Sequence, residues 1–171
     1  MKIIIEAYKP EWKTAFDQER HLLMDAINVP DISIEHIGST SVVGLGAKPI
    51  IDIMIGIRDF NQDNHHIKAM ESLGYNYISK YEDEMPYRRF FTKTSNGKRT
   101  HHIHMVQIHT EFWDRHLRFR DHLRENQEAR NSYLELKLNL AEKEWADIND
   151  YADAKTAFIR EIEEKTAKGD N

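Results

Sequence analysis

The sequence contains no cysteine among its 171 residues, so disulfide bonds and cysteine-ligated zinc are excluded. No apolar run approaches the roughly 20 residues that a membrane helix needs, and the polar N-terminal segment is too short to be a signal peptide. The formal net charge of −5 argues against broad nucleic-acid binding. We therefore expect a cytoplasmic protein without membrane contact, with a single domain over residues 1–165 and a flexible tail over 166–171.

One acidic residue interrupts the most apolar stretch of the chain. Ile50–Ile57 is rich in β-branched side chains and predicts a strand. Side chains alternate across a strand, so Asp52 and Met54 share one face and the alternate isoleucines take the other. A buried carboxylate needs a hydrogen-bonding partner, an ion pair or a metal. Asp52 is therefore either a structural residue bonded to backbone or arginine, or part of a functional site.

A turn rich in glycine and hydroxyl groups precedes this strand. Gly38 ends a short apolar segment, and the hydroxyl residues that follow it are Ser39, Thr40 and Ser41. Hydroxyl and free backbone N–H groups at such a turn bind phosphate, and Lys48 adds a positive charge nearby. The P-loop pattern is absent, because the sequence lacks its Gly-Lys-Ser/Thr ending. An ordinary strand–turn–strand connection is the alternative interpretation.

The stretch His36–Ile53, HIGSTSVVGLGAKPIIDI, resembles the signature of the GrpB family, also called UPF0157. The resemblance runs from about Pro10 to about Glu161, and its further motifs are Arg99–Val106, Trp113, Phe119–Arg124 and Tyr133–Ala141. Val43 departs from the family pattern, which usually has proline there. The resemblance implies the fold of the nucleotidyltransferase superfamily. We therefore expect an α+β protein with a mixed β-sheet, flanking helices and a C-terminal helical part.

The sequence lacks one residue of the superfamily pattern. Gly38, Ser39 and Asp52 match it, but Met54 stands where a second carboxylate is usual. Nucleotidyl transfer uses a pair of metal ions held by carboxylates, and methionine is a poor ligand for Mg²⁺. Either other residues complete the site, or the site binds a ligand without this chemistry.

A histidine-rich segment offers replacements for the missing carboxylate. In the predicted strand Thr100–Ile108, His102 and His104 share a face and lie about 7 Å apart. If this strand pairs with the Asp52 strand, both imidazoles reach the neighbourhood of that carboxylate, and His36 is a fourth potential ligand. Such a set predicts a divalent metal and suits Zn²⁺, Mn²⁺ or Fe²⁺ better than Mg²⁺. Alternatively, the imidazoles bind a phosphate or act in acid–base catalysis.

Cationic residues near these strands are candidates for phosphate binding. Asn96-Gly97 is a strong hairpin signal between two predicted strands, and the cations on this hairpin are Arg89, Lys93 and Arg99. Together with Lys48 they would line a phosphate site. The alternative is that they form surface ion pairs with the acidic residues 82–84, which contribute little stability.

Amphipathic patterns predict helices over residues 111–124, 128–145 and 150–165. On these helices Arg120, Tyr133 and Lys137 are candidate ligand contacts, by analogy with nucleotidyltransferase-like proteins whose C-terminal helices close the cleft. Arg120 has a structural alternative, an ion pair with a neighbouring carboxylate.

These expectations combine into a functional hypothesis. We expect a nucleotidyltransferase-like protein that binds a nucleotide or phosphorylated metabolite, with Asp52, His102 and His104 as candidate catalytic residues. In nucleotidyl transfer, a bound divalent metal would polarise the phosphoryl group. The alternatives are a catalytically inactive, chaperone-like module that binds a ligand or a protein partner, and a metal-dependent phosphohydrolase. Met54 favours the inactive module, whereas the grouping of Asp and His favours an enzyme.

Overall fold

A five-stranded mixed sheet organises the protein. The structure, a computed structural model, describes residues 2–168. The strands are β1 Ser33–Ile37, β2 Ile51–Ile57, β3 Asn76–Ile78, β4 Arg88–Ser95 and β5 Lys98–Gln107. Their order across the sheet is β1-β2-β5-β4-β3. Among these strands, β2 and β5 pair in parallel and the other neighbours are antiparallel.

The described residues also form six α-helices. They are α1 Glu11–Ile27, α2 Asp63–Ser72, α3 Glu111–Glu125, α4 Gln127–Ala141, α5 Ile148–Ala154 and α6 Thr156–Ala167. A 3₁₀ helix, Ser39–Ser41, begins directly after Gly38 at the end of β1. This mixture of helices and a mixed sheet confirms the predicted α+β class.

The alternation of side chains along β2 gives the sheet two different faces. The isoleucines of β2 pack with α1 and α2, for example Ile53 with Leu23 and Met70, in the main hydrophobic core. On the opposite face, Met54 packs with Trp113 of α3 in a smaller cluster. Asp52 lies on this second face, two residues from Met54, and the C-terminal helices lie over it.

The β4–β5 hairpin closes at the predicted Asn96-Gly97 pair. Both residues have positive φ, 52° for Asn96 and 76° for Gly97. Asparagine and glycine tolerate this left-handed conformation, and its twist matches that of the flanking strands. The turn thereby sets which residues of β4 and β5 lie opposite one another: Phe90 faces His104, and Thr92 faces His102.

The C-terminal helices differ from the predicted boundaries. The helix predicted to reach residue 145 ends at Ala141, and the helix predicted over 150–165 is two helices that meet at Lys155. They separate because Tyr151 of α5 and Ile162 of α6 pack into different hydrophobic clusters. Helix α6 continues to Ala167, into the predicted tail, whose residues 169–171 lie outside the described part of the chain. Within residues 2–168, no helix is long and apolar enough to cross a membrane.

Candidate functional site

A cavity of about 470 Å³ lies between the Asp52 face of the sheet and the C-terminal helices. Its floor comes from β2, β4, β5 and the turn after β1, and its roof comes from α3 to α6. The charged side chains that line it are Lys48, Asp52, Arg88, Arg99, Lys137, Lys155 and Glu163. Cations therefore outnumber carboxylates in the cavity, which suits an anionic ligand.

A chain of hydrogen bonds crosses the cavity floor. His104 Nε2 lies 2.9 Å from Asp52 Oδ1, because β2 and β5 are neighbours in parallel register. On the other side of the ring, His104 Nδ1 lies 3.2 Å from Arg88 Nη1. The strand pairing predicted for Asp52 and His104 is therefore present, and Arg88 extends it.

The environment of Asp52 keeps its carboxyl group ionised. Burial alone would raise the pKa of Asp52, but the proximity and hydrogen bond of His104 outweigh burial and lower the pKa to about 2. Gly38 has a φ of 71°, and a Cβ atom at this position would come within 2.9 Å of Asp52 Oδ2. Glycine at position 38 thus allows the turn to lie directly against the carboxylate.

Three lysines converge on the cavity from separate segments: Lys48 from the loop before β2, Lys137 from α4 and Lys155 from the α5–α6 junction. Burial, together with Lys155 and Lys48, lowers the pKa of Lys137 to about 7. Burial and Lys48 lower the pKa of Lys155 to about 8. None of the ion pairs between described residues includes any of the three. The lysines therefore repel one another without a direct ion pair, and the nearby Asp52 carboxylate offsets the lowered pKa of Lys48 and Lys155 only in part.

The turn after β1 is anchored to helix α4. Lys137, which is only 2% exposed, donates hydrogen bonds to Ser39 Oγ at 2.8 Å and to the Gly46 carbonyl. Tyr133, one turn earlier on the same helix, packs beneath the Lys137 ammonium group. The structure therefore brings the predicted residues Gly38, Ser39, Tyr133 and Lys137 to one cavity, along with Thr40.

The second predicted histidine of β5 also lines the cavity but has a different partner. His102 Nε2 lies 3.1 Å from Arg99 Nη1, and its ring packs edge-on against Phe90. Burial lowers the pKa of His102 to about 4, so the ring is neutral at physiological pH. The predicted contribution of Arg99 to this lining agrees with the structure.

Five other predicted residues lie away from the cavity lining, and the predicted metal ligand His36 is one of them. His36 points to the opposite face of the sheet, where it stacks on Phe16 at 4.7 Å between ring centroids. Its Nε2 is 2.9 Å from Thr40 Oγ1, and burial lowers its pKa to about 4. The prediction of His36 as a fourth ligand beside Asp52 is therefore wrong. Consecutive residues of a strand point to opposite faces of the sheet, and His36 lies on the face away from Asp52.

Two cations of β4 also lie on the α1–α2 face. Arg89 forms ion pairs with Asp63 and Glu82, and Lys93 pairs with Glu19. The prediction that Arg89 and Lys93 line the same phosphate site needs correction, since both alternate with Arg88 and Phe90 across the strand. They serve as ion-pair partners between β4 and the elements packed on it.

Arg120 and Ser41 have structural contacts as well. Arg120 donates to Glu35 Oε2 at 2.6 Å and to the His36 carbonyl at 3.2 Å, which ties α3 to β1. The Ser41 hydroxyl donates to the Gly38 carbonyl and closes the 3₁₀ turn. Neither residue lines the cavity, so the structural alternative for Arg120 agrees with the geometry.

The donor atoms of the cavity do not fit a metal site held by protein residues alone. Within residues 2–168, no group of three histidine, aspartate or glutamate side chains is arranged to hold a metal ion. Asp52 and His104 bond to each other, and Met54 is fully buried in the apolar cluster beneath α3. A divalent metal held by Asp52 with His102 and His104 stays a prediction.

Several cavity residues were missed by sequence reasoning. Arg88 alternates with Arg89, and the pattern alone did not show which of the two faces the site. His116 of α3, Tyr151 of α5 and Lys155 carry no recognisable motif and come from helices far along the chain. The helix break at Lys155, which brings this side chain to the cavity, had no proline or glycine to mark it.

Known proteins share both the sequence and the fold. The family model described as GrpB protein matches residues 2–165. A UPF0157 protein of Halalkalibacterium halodurans is 36% identical over 161 residues, which cover 94% of this chain and 80% of that protein. The glutamate-rich protein GrpB of Alkalihalophilus pseudofirmus is 33% identical over 163 residues, which cover 94% of each.

Solved structures agree with these relatives. The crystal structure of the conserved protein GrpB from Enterococcus faecalis superposes with a TM-score of 0.86 at 36% identity, covering 97% of this chain and 98% of that one. The Cid1 poly(U) polymerase superposes with a TM-score of 0.54 at 15% identity, covering 82% of this chain and 45% of Cid1. The second likeness concerns the fold alone, which is that of the nucleotidyltransferases.

Proposed function

Because the chain belongs to the GrpB family and has a nucleotidyltransferase fold, we propose that it binds a nucleotide in the cavity beside Asp52. The phosphates contact the three lysines and the Ser39 turn, and the nucleoside lies among the aromatic side chains of the lining. Cid1, which shares the fold, is a poly(U) polymerase that selects UTP, and one of its crystal structures has MgGTP bound.

The observation that carries this proposal is the convergence of unpaired lysines. Beyond the effect of burial, Lys155 and Lys48 lower the pKa of Lys137, and Lys48 lowers that of Lys155, although the three come from segments far apart in sequence. Burying like charges is unfavourable unless an anion compensates them. A triphosphate carries several negative charges and matches this demand better than a carboxylate metabolite does.

The remaining lining suits a nucleoside. Tyr81 and Phe90 contribute aromatic surface to the cavity. A base stacks on such surfaces with a gain of about 1–3 kcal/mol per contact. The cavity thus has a cationic part near α4 and α6 and an aromatic part, as a nucleotide requires.

Asp52 gives the cavity a group for chemistry on the phosphates. The carboxylate is ionised and held by His104, and it lies on the same floor as the phosphate-binding turn. In this arrangement it would accept the hydrogen bond of an acceptor hydroxyl and orient that hydroxyl toward the nucleotide. The expected reaction is nucleotidyl transfer with release of pyrophosphate.

A second candidate function is nucleotide binding without turnover. It is favoured by Met54, which is completely buried among apolar side chains where a second carboxylate would be needed for a metal pair. In this case the occupied cavity would hold the C-terminal helices against the sheet, and nucleotide binding would regulate contact with a protein partner.

Calorimetric titration with ATP, GTP, CTP and UTP tests the proposal, with Mg²⁺ and with a chelator. We expect at least one nucleotide to bind wild type and to lose roughly tenfold or more in affinity to Lys155→Met, because one charge-assisted contact is removed. The exposed Lys68 on α2 provides the matched control Lys68→Met, which should bind normally. Failure of all four nucleotides to bind would contradict the proposal, and binding without pyrophosphate release would select the second candidate.

A further inference from the structure

His104 occupies a position between an acid and a base that suits covalent catalysis. We propose that His104 Nδ1 is a nucleophile, which attacks the α-phosphorus of a nucleoside triphosphate and forms a covalent nucleotidyl-histidine. This inference rests on the proposed nucleotide site. The observations that carry this inference are the contacts on the two ring nitrogens, Asp52 on one side and Arg88 on the other.

The two contacts determine where the proton of the ring lies. A guanidinium group has only donors, so Arg88 Nη1 at 3.2 Å donates to His104 Nδ1, which must carry the lone pair. The proton then lies on Nε2 and is donated to Asp52 Oδ1 at 2.9 Å. A carboxylate that holds one nitrogen of an imidazole sets the tautomer and stabilises the cation that forms when the other nitrogen reacts.

Arg88 is also able to bring the reacting phosphate to this lone pair. None of the ion pairs between described residues includes Arg88, and its guanidinium packs against the ring of Phe90 at 4.8 Å. Guanidinium groups bind phosphate oxygens in preference to an imidazole nitrogen. A phosphate bound to Arg88 would therefore replace the Arg88–His104 hydrogen bond and place its phosphorus beside Nδ1.

The other histidines of the cavity lack this arrangement. His102 contacts Arg99 through Nε2, and no carboxylate of the described chain is hydrogen-bonded to it. His116 donates Nδ1–H to the Phe112 carbonyl at 2.7 Å, and its ring centroid is 6.4 Å from that of His104. His104 is thus the histidine of the lining that combines an orienting carboxylate with a phosphate-binding cation.

The proposed reaction has two balanced steps. First, the Nδ1 lone pair forms a bond to the α-phosphorus, the bond from that phosphorus to the bridging oxygen breaks, and pyrophosphate leaves with the electron pair. The resulting imidazolium keeps its proton on Nε2, where it is hydrogen-bonded to Asp52. Then an acceptor hydroxyl attacks the phosphorus, the P–N bond breaks with its electrons returning to Nδ1, and the hydroxyl proton goes to solvent. Covalent catalysis of this kind divides one difficult transfer into two easier ones.

The test is covalent labelling of the full-length protein with each of the four ribonucleoside triphosphates carrying ³²P on the α-phosphate. After an alkaline quench we expect protein-bound label that is stable in base and released by acid, as a phosphoramidate is. Mass spectrometry should place one nucleoside monophosphate on His104. His104→Gln, which preserves polarity and size, should remove at least nine-tenths of the label, whereas the exposed control His65→Ala should keep it.

The outcomes separate this inference from the proposed function. Nucleotide binding by wild type without any acid-labile label would overturn the nucleophile and leave the nucleotide site standing. Label mapped to another residue, or retained in His104→Gln, would also overturn it. Asp52→Asn gives an independent check, since loss of the orienting carboxylate should lower the labelling rate at least tenfold.

Discussion

The α-carbon of Gly38 lies directly against the carboxylate of Asp52, so a methyl group at position 38 would come within 2.9 Å of Asp52 Oδ2. This contact joins the turn after β1 to the centre of the cavity floor. Because His104 holds the other carboxylate oxygen, the Asp52 side chain is constrained from two sides. The position of the carboxylate therefore depends on a residue that has no side chain.

Gly38→Ala should displace Asp52 and weaken nucleotide binding roughly tenfold or more. A residue other than glycine at a φ of 71° and ψ of −177° adds a backbone cost of about 1–3 kcal/mol to the folded state. Gly44 is a matched control, because its φ is 84° and its added Cβ would meet nothing within 4 Å. Gly44→Ala should have a similar backbone cost but normal binding in calorimetric titrations. Equal binding by both variants would show that the Gly38–Asp52 contact is unimportant.

Lys137 should make the folded protein more stable as the pH rises above 7. In the folded state its pKa is about 7 instead of the ordinary 10.5, so between these values the unfolded chain binds more protons. Unfolding free energy then increases with pH, by up to about 1.4 kcal/mol per pH unit. Urea denaturation over this range measures the slope.

Lys137→Met should reduce this slope, leaving the smaller contribution that Lys155 makes above its own pKa of about 8. Lys68→Met, at an exposed site on α2, should retain the full slope. If the slope is the same in both variants, Lys137 is not the group whose pKa is lowered.

Arg120→Met should destabilise the fold without affecting the cavity. The substitution removes the hydrogen bonds from Arg120 to Glu35 and to the His36 carbonyl. We expect this to lower the free energy of unfolding by about 2–3 kcal/mol. The exposed Arg58–Asp31 pair gives a comparison, and Arg58→Met should cost less than about 1 kcal/mol. Nucleotide affinity should stay within twofold of wild type in both variants. A loss of nucleotide affinity in Arg120→Met alone would show that Arg120 takes part in ligand binding, as the sequence predicted.

Met54→Asp should destabilise the protein and not improve any metal-dependent activity. Met54 has no exposed surface and packs against Trp113. A carboxylate at this position would lie unpaired among apolar side chains, at a cost of about 3–5 kcal/mol. Met54→Leu, which conserves volume, should cost less than about 1.5 kcal/mol. Thermal denaturation with and without Mg²⁺ tests this, and a stable Asp variant that gains Mg²⁺ binding would contradict it.

Features set by local sequence were predicted well. The Asp52 strand, the hairpin closed by the Asn96-Gly97 turn and the opposite faces of β2 follow from β-branched residues, turn chemistry and alternation, which act over a few neighbouring residues. The pairing of Asp52 with His104 also followed, because parallel neighbours with the same alternation bring matching faces together. These features need no knowledge of which helix packs where.

The sequence by itself therefore determined the family, the α+β class and the neighbouring positions of Asp52 and His104. Only the tertiary structure decided which cations reach the cavity. Arg88 rather than Arg89 faces it because the hairpin register places Phe90 opposite His104, and Lys155 reaches it because α5 and α6 pack into different clusters. Such choices depend on long-range packing between segments far apart in the chain, which local patterns do not encode.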